Sequence, residues 1–240
     1  MNTEHSAQVA RMFARIAASY DTANRILSFG LDMLWRRRML ETVENALGGS
    51  AAQARILDLA AGTLDISLAL AARFPNARIL AMDFSLPMLL AGNEKIVRAP
   101  YAVSQRLARI CADAMRIPLQ AGSLDAITLA FGLRNILPRS AVLAEAYRAL
   151  RPGASLFVLE FGPVNRPIWL GLYNAYLACI LPALGGLISG DKEAYVHLAR
   201  TIAAFPSREE LAAEIIGAGF VRVRQQQYAG GIVFLHQAEK

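Results

Sequence analysis

The sequence predicts an α/β fold, in which one sheet carries helices on both faces. Between residues 55 and 161, five short apolar runs typical of buried strands alternate with segments of helical periodicity. Near the end of the chain, two further strand-like runs flank Gly230 and Gly231, which is a hairpin signal. With 240 residues, 55% of them hydrophobic, the chain can build one full core, and we expect a single domain over 1–240.

The alternating segments follow one another without repeats. The five predicted strands lie within 55–62, 77–84, 107–114, 123–132 and 155–161. Three helices are predicted: 63–74, which Pro75 ends; 85–97, with Ser85 as N-cap; and 139–150, closed by the turn at 151–153. The closing hairpin lies within 220–238.

Two parts of the chain lie outside this alternation. Residues 1–50 read as helices that form an N-terminal cap, and residues 163–206 form an insertion before the last two strands. They flank a core at 51–162, and 207–240 supplies the closing strands. We expect both additions near the carboxyl ends of the strands, where open α/β sheets bind ligands.

The turn after the first strand, in "RILDLAAGTLD" (residues 55–65), has the features of a cofactor loop. Small residues there allow backbone N–H groups to approach a ligand at a helix N-terminus. Asp83 ends the second strand about 20 residues later, where an acid can bind ribose hydroxyls. Gly62 alone does not make a dinucleotide motif, and an ordinary turn is an equal alternative. Asp58 favours the functional interpretation, because a carboxylate in an apolar strand needs a partner or ligand.

Several classes of site and partner are disfavoured. The three histidines are far apart and there is no cysteine pair, so no metal site is expected. Cys111 and Cys179 are predicted to be buried free thiols of a reducing cytoplasm. The first residues lack the apolar core of a signal peptide. Despite the net charge of +6, basic residues do not alternate with stacking aromatics, so nucleic acid is not expected as a partner.

Five segments, taken together, resemble one known family. They are "IAASYDTANRILSFGLDMLW", "LDLAAGTLD", "MDFSLPML", "FGLRN" and "RPGASLFVLEF". In this order they resemble the UbiE/Coq5 family, the S-adenosylmethionine-dependent C-methyltransferases of ubiquinone and menaquinone biosynthesis, from about Phe13 to His236. The resemblance implies a class I methyltransferase (Rossmann-like) fold, with a seven-stranded sheet whose last strand is antiparallel.

The resemblance also implies which residues bind S-adenosylmethionine. Asp83 would hold the ribose hydroxyls, Thr63 and its loop would face the methionine part, and Met88 would lie near the adenine. Tyr20 would cover the cofactor from the N-terminal helices. The complete implied set is Tyr20, Asp58, Ala60, Gly62, Thr63, Asp83, Met88, Asp113, Ala114 and Ala130, with Asp113 and Ala114 at the adenine amino edge.

Two residues of the loop depart from the family pattern. Ala61 and Leu64 stand where the family has glycines. A leucine at the start of a helix either crowds the cofactor carboxylate, needs a costly positive φ, or packs away from the ligand. We expect Leu64 to have ordinary helical angles and to point into the layer between sheet and helix.

Arg134 and Asn135, in "FGLRN" after the fourth strand, are the candidate catalytic residues. Arg134 is too basic to act as a base, but it can stabilise a phenolate or position a water. Asn135 can hydrogen-bond a quinol oxygen. The alternative for Arg134 is a solvated loop arginine. Candidate proton acceptors are Glu160, Asp191 and His197, although Glu160 is as readily tied to backbone N–H groups and His197 more often lies on a helix face.

Residues 168–190 carry no charge and are long enough for a membrane span. We reject spanning because Pro182 and two glycines interrupt the stretch and the chain must return to the sheet. We expect a cover over a lipid-substrate pocket, with Leu181 and Leu184 meeting the bilayer and the basic N-terminal region adding attraction to anionic lipid. A homodimer interface or an ordinary helical layer is the alternative.

The sequence therefore predicts a C-methyltransferase that acts on the ring of a polyprenyl quinol. It is expected in the cytoplasm, with peripheral contact at the inner face of the membrane. A methyltransferase with another small aromatic substrate is the first rival. The second is a non-catalytic relative in which Leu64 has impaired the cofactor loop.

Overall fold

The computed structural model describes residues 3–48, 53–163, 171, 173 and 175–240. Within them, seven strands form one sheet in the order β3-β2-β1-β4-β5-β7-β6. The strands are β1 Arg55–Leu59, β2 Arg78–Asp83, β3 Leu107–Cys111, β4 Leu124–Ala130, β5 Leu150–Phe161, β6 Arg222–Tyr228 and β7 Val233–Glu239. Neighbouring strands are parallel except at β7, which is antiparallel to both β5 and β6. The predicted sheet, its closing hairpin and its antiparallel last strand are confirmed.

Helices cover both faces of the sheet. In chain order the helices are α1 Thr3–Ile16, α2 Tyr20–Leu27, α3 Leu31–Leu47, α4 Asp65–Arg73, α5 Leu86–Ala91, α6 Asn93–Arg98, α7 Tyr101–Ser104, α8 Arg139–Ala149, α9 Leu181–Ser189, α10 Lys192–Ala203 and α11 Arg208–Gly217. Successive strand residues point to opposite faces, so α3 and α4 bury one set of β1 and β4 side chains while α8 and α11 bury the other.

The N-terminal region divides between two tasks. Helix α3 lies on a face of the sheet, where Trp35 and Met39 pack with strand residues. Helices α1 and α2 instead pack against α9 and α10, and form a second apolar cluster that includes Met12, Leu27 and Tyr195. Only α1 and α2 therefore act as the predicted cap. The domain boundaries drawn from the sequence remain a prediction.

The uncharged stretch is only partly within the described residues, because 168–170, 172 and 174 lie outside them. A π-helical turn, Tyr176–Ile180, leads into α9, and Pro182 occupies the first turn of α9, where its missing N–H is tolerated. Leu181 is buried in the cap cluster, so its predicted contact with the bilayer is wrong. None of the helices within the described ranges is both long and apolar enough to cross a bilayer.

Three local expectations also change. Cys111 and Cys179 are free, as predicted, but both are exposed rather than buried. The predicted helix 85–97 is divided at Gly92 into α5 and α6. Strand β5 begins at Leu150, so the turn predicted at 151–153 lies within it. The pairing of β5 with β4 is irregular at first and becomes regular from Ser155.

Candidate active site

The loop after β1 is held in a conformation that L-residues rarely adopt. Ala60, Gly62 and Leu64 have φ values of 55°, 54° and 72°. The Ala61 N–H donates to the Met82 carbonyl over 3.0 Å, and the Gly62 N–H donates to Asp83 Oδ2 over 2.8 Å. These bonds join the loop to the end of β2, so the ends of β1 and β2 form one rigid corner at the carboxyl edge of the sheet.

Leu64 both contradicts and supports the expectation from the sequence. The expected helical angles are wrong, since Leu64 is in the left-handed region at the N-cap of α4. Its side chain is 0% exposed and packs with Ala81 and Leu89, as expected for the layer between sheet and helix. A Cβ at position 92 would lie 2.5 Å from Leu64 Cδ1, so Gly92 provides the space for this side chain. Leu64 is therefore directed away from the ligand side of the loop.

A cavity of about 110 Å³ lies beside this corner, and its lining includes the half-buried Asp83 and the buried Ser85. The Asp83 carboxylate accepts hydrogen bonds from the Gly62 and Ser85 N–H groups, each over 2.8 Å. Burial raises the pKa of Asp83 despite these backbone bonds. The Ser85 hydroxyl has no hydrogen-bond partner among the described residues. A carboxylate and an unpaired hydroxyl at the wall of a cavity fit a ligand that has hydroxyl groups.

Nine of the predicted site residues line this first cavity. They are Tyr20, Ala60, Gly62, Asp83, Met88, Asp113, Ala114, Ala130 and the candidate catalytic residue Asn135. Sequence reasoning missed Val9, Ala10, Phe13, Phe84 and Phe131, which also line it. An aromatic residue directly after Asp83 was a usable signal for Phe84. The α1 residues had none, because periodicity does not reveal where a helix packs.

Asp58 is placed beneath the loop and does not line the cavity. Its carboxylate accepts hydrogen bonds from the Ser67 hydroxyl over 2.5 Å and from the Thr128 hydroxyl over 2.9 Å. Burial raises the pKa of Asp58 to about 6, although both hydroxyls oppose the shift. The partner that an acid in an apolar strand requires is thus supplied by α4 and β4. Asp58 joins three elements under the loop, and this placement does not support its predicted direct contact with the cofactor, which stays a prediction.

Thr63 also points away from the cavity. Its hydroxyl donates to Asp21 Oδ1 over 2.6 Å and accepts from Lys95 Nζ over 3.1 Å. Lys95 pairs with Asp65 and Asp21, each over 2.5 Å. Thr63 therefore belongs to a charged cluster that connects α2 to α4 and α6. The predicted contact of Thr63 with the methionine part has no support from this placement.

A second, larger cavity of about 430 Å³ adjoins the first. Tyr20 and Phe131 line both cavities and form the shared wall between them. The second cavity is mostly apolar, with walls from α2, α3, the π-helical turn and the start of α9. Phe29 and Ile180 line its mouth and are exposed to solvent.

Arg134 lies in the wall of this second cavity and is buried, which rules out a solvated loop arginine. Its Nη1 donates to Glu160 Oε1 over 2.7 Å and also to the Phe131 carbonyl. Glu160 further accepts hydrogen bonds from the Arg134 and Phe161 N–H groups. Glu160 is therefore committed to backbone and guanidinium donors rather than being free to accept a substrate proton. The guanidinium lies 5.7 Å from the Phe161 ring centroid.

Asn135 is brought next to His197, a residue that sequence reasoning placed on a helix face. The two side chains are in contact, with 3.1 Å between His197 Nε2 and Asn135 Oδ1. Asp191, the remaining candidate base, caps α10 and pairs with Arg15 over 2.7 Å, which holds its pKa below the usual range. Across the described part of the chain, no group of three or more His, Cys, Asp or Glu could hold a metal ion.

Comparison with known proteins gives the family. The model of the ubiE/COQ5 methyltransferase family matches residues 1–240. The chain is 42% identical over 225 residues to the ubiquinone/menaquinone biosynthesis C-methyltransferase UbiE of Syntrophotalea carbinolica, covering 94% of this chain and 91% of that protein. It is 41% identical over 229 residues to the demethylmenaquinone methyltransferase of Thermus thermophilus, covering 95% and 100%.

Solved structures with low sequence identity share the fold. A methyltransferase from Thermotoga maritima superposes with a TM-score of 0.64 at 17% identity, covering 96% of this chain and 98% of that one. A methyltransferase from Aquifex aeolicus gives 0.57 at 18%, covering 83% and 88%. Because the family model spans the whole chain and both curated relatives exceed 40% identity, this chain belongs to the ubiE/COQ5 methyltransferase family.

Proposed function

We propose that this chain transfers a methyl group from S-adenosylmethionine to a ring carbon of a polyprenylated quinol, in menaquinone or ubiquinone biosynthesis. The observation that carries the proposal is the pair of adjoining cavities that share Tyr20 and Phe131. One cavity has a half-buried carboxylate at a strand end, and the other is mostly apolar with a buried arginine. Such an arrangement supports a polar nucleotide-like cofactor beside an apolar aromatic substrate.

The residues of the first cavity fit the cofactor. Asp83 can accept hydrogen bonds from both ribose hydroxyls, because backbone N–H groups already fix the carboxylate in place. Met88 and Ala114 offer apolar surface to the adenine, and Tyr20 covers the site from α2. When bound, the cofactor supplies a methyl group on a positively charged sulfur. Because Tyr20 and Phe131 line both cavities, a cofactor held in the first would lie close to a ring held in the second, and proximity would contribute to the reaction.

The residues of the second cavity fit an aromatic substrate that must be ionised. A quinol ring carbon becomes nucleophilic when a neighbouring hydroxyl loses its proton, and phenols ionise near pH 10. The buried Arg134 guanidinium can stabilise the phenolate, and its ion pair with Glu160 fixes its position. Asn135, in contact with His197, lines the first cavity rather than the second, and is a candidate for binding a second ring oxygen where the two cavities adjoin. Leu64 is directed away from the cofactor, so it gives no reason to favour a non-catalytic relative.

We also propose that the mouth of the second cavity meets the membrane. Phe29 is 82% exposed at the turn between α2 and α3, and Ile180, just before α9, is 47% exposed; both line the second cavity. Exposed Met33 and Leu34 follow Phe29 on α3. A polyprenyl tail that leaves the cavity between Phe29 and Ile180 would pass directly into a bilayer. We call Phe29, Met33, Leu34 and Ile180 the mouth surface.

Quinone analysis tests the main proposal. Cells that lack this protein should accumulate a demethylated quinone, and mass spectrometry should identify its ring. The purified protein should methylate that quinol with S-adenosylmethionine. An unchanged quinone pool, with no transfer to either a benzoquinol or a naphthoquinol, would instead favour a methyltransferase of another small aromatic compound.

A further inference from the structure

The second cavity contains a tyrosine hydroxyl that is buried without a partner. The hydroxyl of Tyr173 makes no hydrogen bond to any part of the chain that the structure describes, and neither does Arg134 Nε. Both residues line the second cavity. By contrast, Tyr176 in the same wall donates its hydroxyl to the Leu27 carbonyl over 2.6 Å. Two buried donors in one apolar cavity are therefore left without an acceptor.

Unpaired buried donors are costly, and native proteins rarely keep them unless a ligand or water completes them. The surrounding surface is mostly apolar, including Trp35, Phe131 and Phe161. This surface offers a flat ring a mostly apolar site with few polar contacts. An acceptor that belongs to the ring would satisfy the Tyr173 hydroxyl and Arg134 Nε without disturbing the Arg134–Glu160 pair.

We propose that Tyr173 orients the substrate, donating its hydroxyl to the ring oxygen of the quinol that Arg134 also contacts. This inference rests on the proposed function, since it names how the quinol is held. The ring oxygen lies at the polar end of the cavity, and the prenyl tail extends toward Phe29 and Ile180 at the mouth. Two donors on one oxygen favour its anionic form, so they make the adjacent ring carbon more nucleophilic.

Tyr173 acts as a donor and does not remove the proton of the quinol. Burial raises the pKa of Tyr173 well above its usual range; Tyr176 and Glu160 add to the shift and Arg134 opposes it. The tyrosine therefore stays protonated at neutral pH. The proton of the ring hydroxyl passes to water, and Tyr173 and Arg134 stabilise the anion that remains.

Tyr173→Phe tests the proposal, with Tyr228→Phe as the control. Both variants lose one tyrosine hydroxyl, but the Tyr228 hydroxyl donates to Gln226 Oε1 over 2.9 Å and Tyr228 lines neither cavity. The probe is 4-methoxy-1-naphthol, bound in the presence of S-adenosylhomocysteine so that the cofactor cavity is filled. Its absorption reports ionisation. The wild type and Tyr228→Phe should lower the pKa of the bound probe, and Tyr173→Phe should shift it back upward by about half a unit or more.

Kinetics should follow the same pattern. With a short-tailed demethylated quinol, kcat of Tyr173→Phe should fall by about tenfold or more, as expected for a lost hydrogen bond to a charged oxygen. Affinity for S-adenosylmethionine should not change, because Tyr173 does not line the cofactor cavity. A folded Tyr173→Phe variant with wild-type kcat and wild-type probe pKa would overturn the inference.

Two further outcomes remain separate. If Tyr173→Phe does not fold, Tyr173→Leu takes its place with the same two measurements. In either case the affinity of the wild type for the probe must rise as pH increases and the probe ionises, and a falling affinity overturns the inference. If the wild type methylates no quinol but ionises the probe in the predicted way, the proposed function fails while the donor role of Tyr173 stands.

Discussion

Leu64 and Gly92 are sterically coupled: Leu64 Cδ1 occupies the space that a side chain at position 92 would need, 2.5 Å from the ideal Cβ position. The backbone of Gly92 has φ −71° and ψ −7°, which any residue can adopt. Leu64 is therefore the main reason that a side chain is excluded here; the Thr63 carbonyl oxygen, 3.1 Å from the same Cβ position, is a smaller obstacle. Leu64, which departs from the family pattern of the loop, is thus accommodated by Gly92, in another part of the chain.

This coupling predicts non-additive stability. Gly92→Ala should destabilise the wild type by about 1–3 kcal/mol through overpacking. In a Leu64→Gly background the same change should be neutral or stabilising, since the space is empty and alanine favours helix. Chemical denaturation of the four proteins measures the coupling. Equal effects of Gly92→Ala in both backgrounds would contradict it.

Leu64→Gly should separate stability from cofactor binding. The change relieves a positive φ but removes a fully buried side chain, so a net loss of stability of a few kcal/mol is expected. Affinity for S-adenosylmethionine should be preserved, because the side chain is directed away from the ligand. Calorimetry on the folded variant measures this. A large loss of affinity would show that Leu64 supports the loop in another way.

Asp58 should make stability fall as pH rises. Its pKa is about 6 in the folded protein against a usual 3.8, so the folded state binds the proton more tightly than the unfolded state. The cost of the charged form is absent below about pH 4 and complete above about pH 6, and amounts to about 3 kcal/mol. The Asp58→Asn variant has no carboxylate at this position and therefore does not carry this cost. The difference in unfolding free energy between variant and wild type should therefore grow from pH 4 to pH 7.

Thr128→Val provides a matched test of the same group. Losing the Thr128 hydroxyl removes one of the two bonds that favour the Asp58 carboxylate, so the folded pKa should rise further. The fall in stability should then extend to higher pH. A wild type, an Asp58→Asn variant and a Thr128→Val variant with parallel pH profiles would show that Asp58 does not titrate in this range.

Periodicity in the sequence predicts strands and helices, but it does not predict the directions of individual side chains. Strand and helix patterns place β1 through β7 and the hairpin, because alternation and turn residues are local signals. Most of the residues that the resemblance assigns to the cofactor line one cavity. The directions of the other side chains are not local signals: Thr63 and Asp58 bond to Asp21 and Ser67 instead of lining the cavity.

Long-range contacts account for what was missed. The Arg134–Glu160 pair and the contact of His197 with Asn135 each join segments far apart in the chain. No spacing rule connects such positions. The angles of Leu64 could not be predicted either, because they depend on Gly92, 28 residues later, leaving room for the side chain.

Asp83→Ala should weaken binding of S-adenosylmethionine by roughly 1.5–3 kcal/mol, which is typical of hydrogen bonds to a charged group. Burial raises the pKa of Asp83, and ribose hydroxyls stabilise its charged form. Wild-type affinity should therefore decrease as pH falls through the pKa of the free protein. The variant should lack this pH dependence. Unchanged affinity in a folded Asp83→Ala protein would remove Asp83 from the ribose role.

Arg134→Lys should keep a positive charge but lose the planar group that pairs with Glu160 and faces the cavity. Turnover should fall by about 10²-fold, the scale of removing one donor from a developing anion. Cofactor affinity should stay normal, because Arg134 lines the second cavity and does not line the first. Arg139→Lys, at a more exposed pair with Glu214, is the matched control and should leave turnover unchanged. Wild-type turnover in Arg134→Lys would reject the electrostatic role.

The mouth surface should control access of long-tailed substrates. Phe29→Ser with Ile180→Ser removes two exposed apolar groups and should leave the fold intact. Binding to anionic liposomes should weaken, and turnover should fall for a long-tailed quinol but not for a tail-less analogue. Val221→Ser is the control: this side chain is 73% exposed and precedes β6, at the opposite end of the sheet from the cavities. Equal losses on both substrates would assign Phe29 and Ile180 to stability.

Salt should have a small effect on this binding. Arg37 and Arg38 follow the mouth surface on α3, but both pair with Glu41, so the three groups carry a net charge of only one. One basic charge near an anionic surface corresponds to a roughly fivefold change in affinity that salt can screen. Glu41→Gln should restore the second charge and increase both the binding and its salt dependence. Liposome sedimentation across salt concentrations measures this, and a dimer detected by light scattering with no liposome binding would assign the mouth surface to a second copy of the chain.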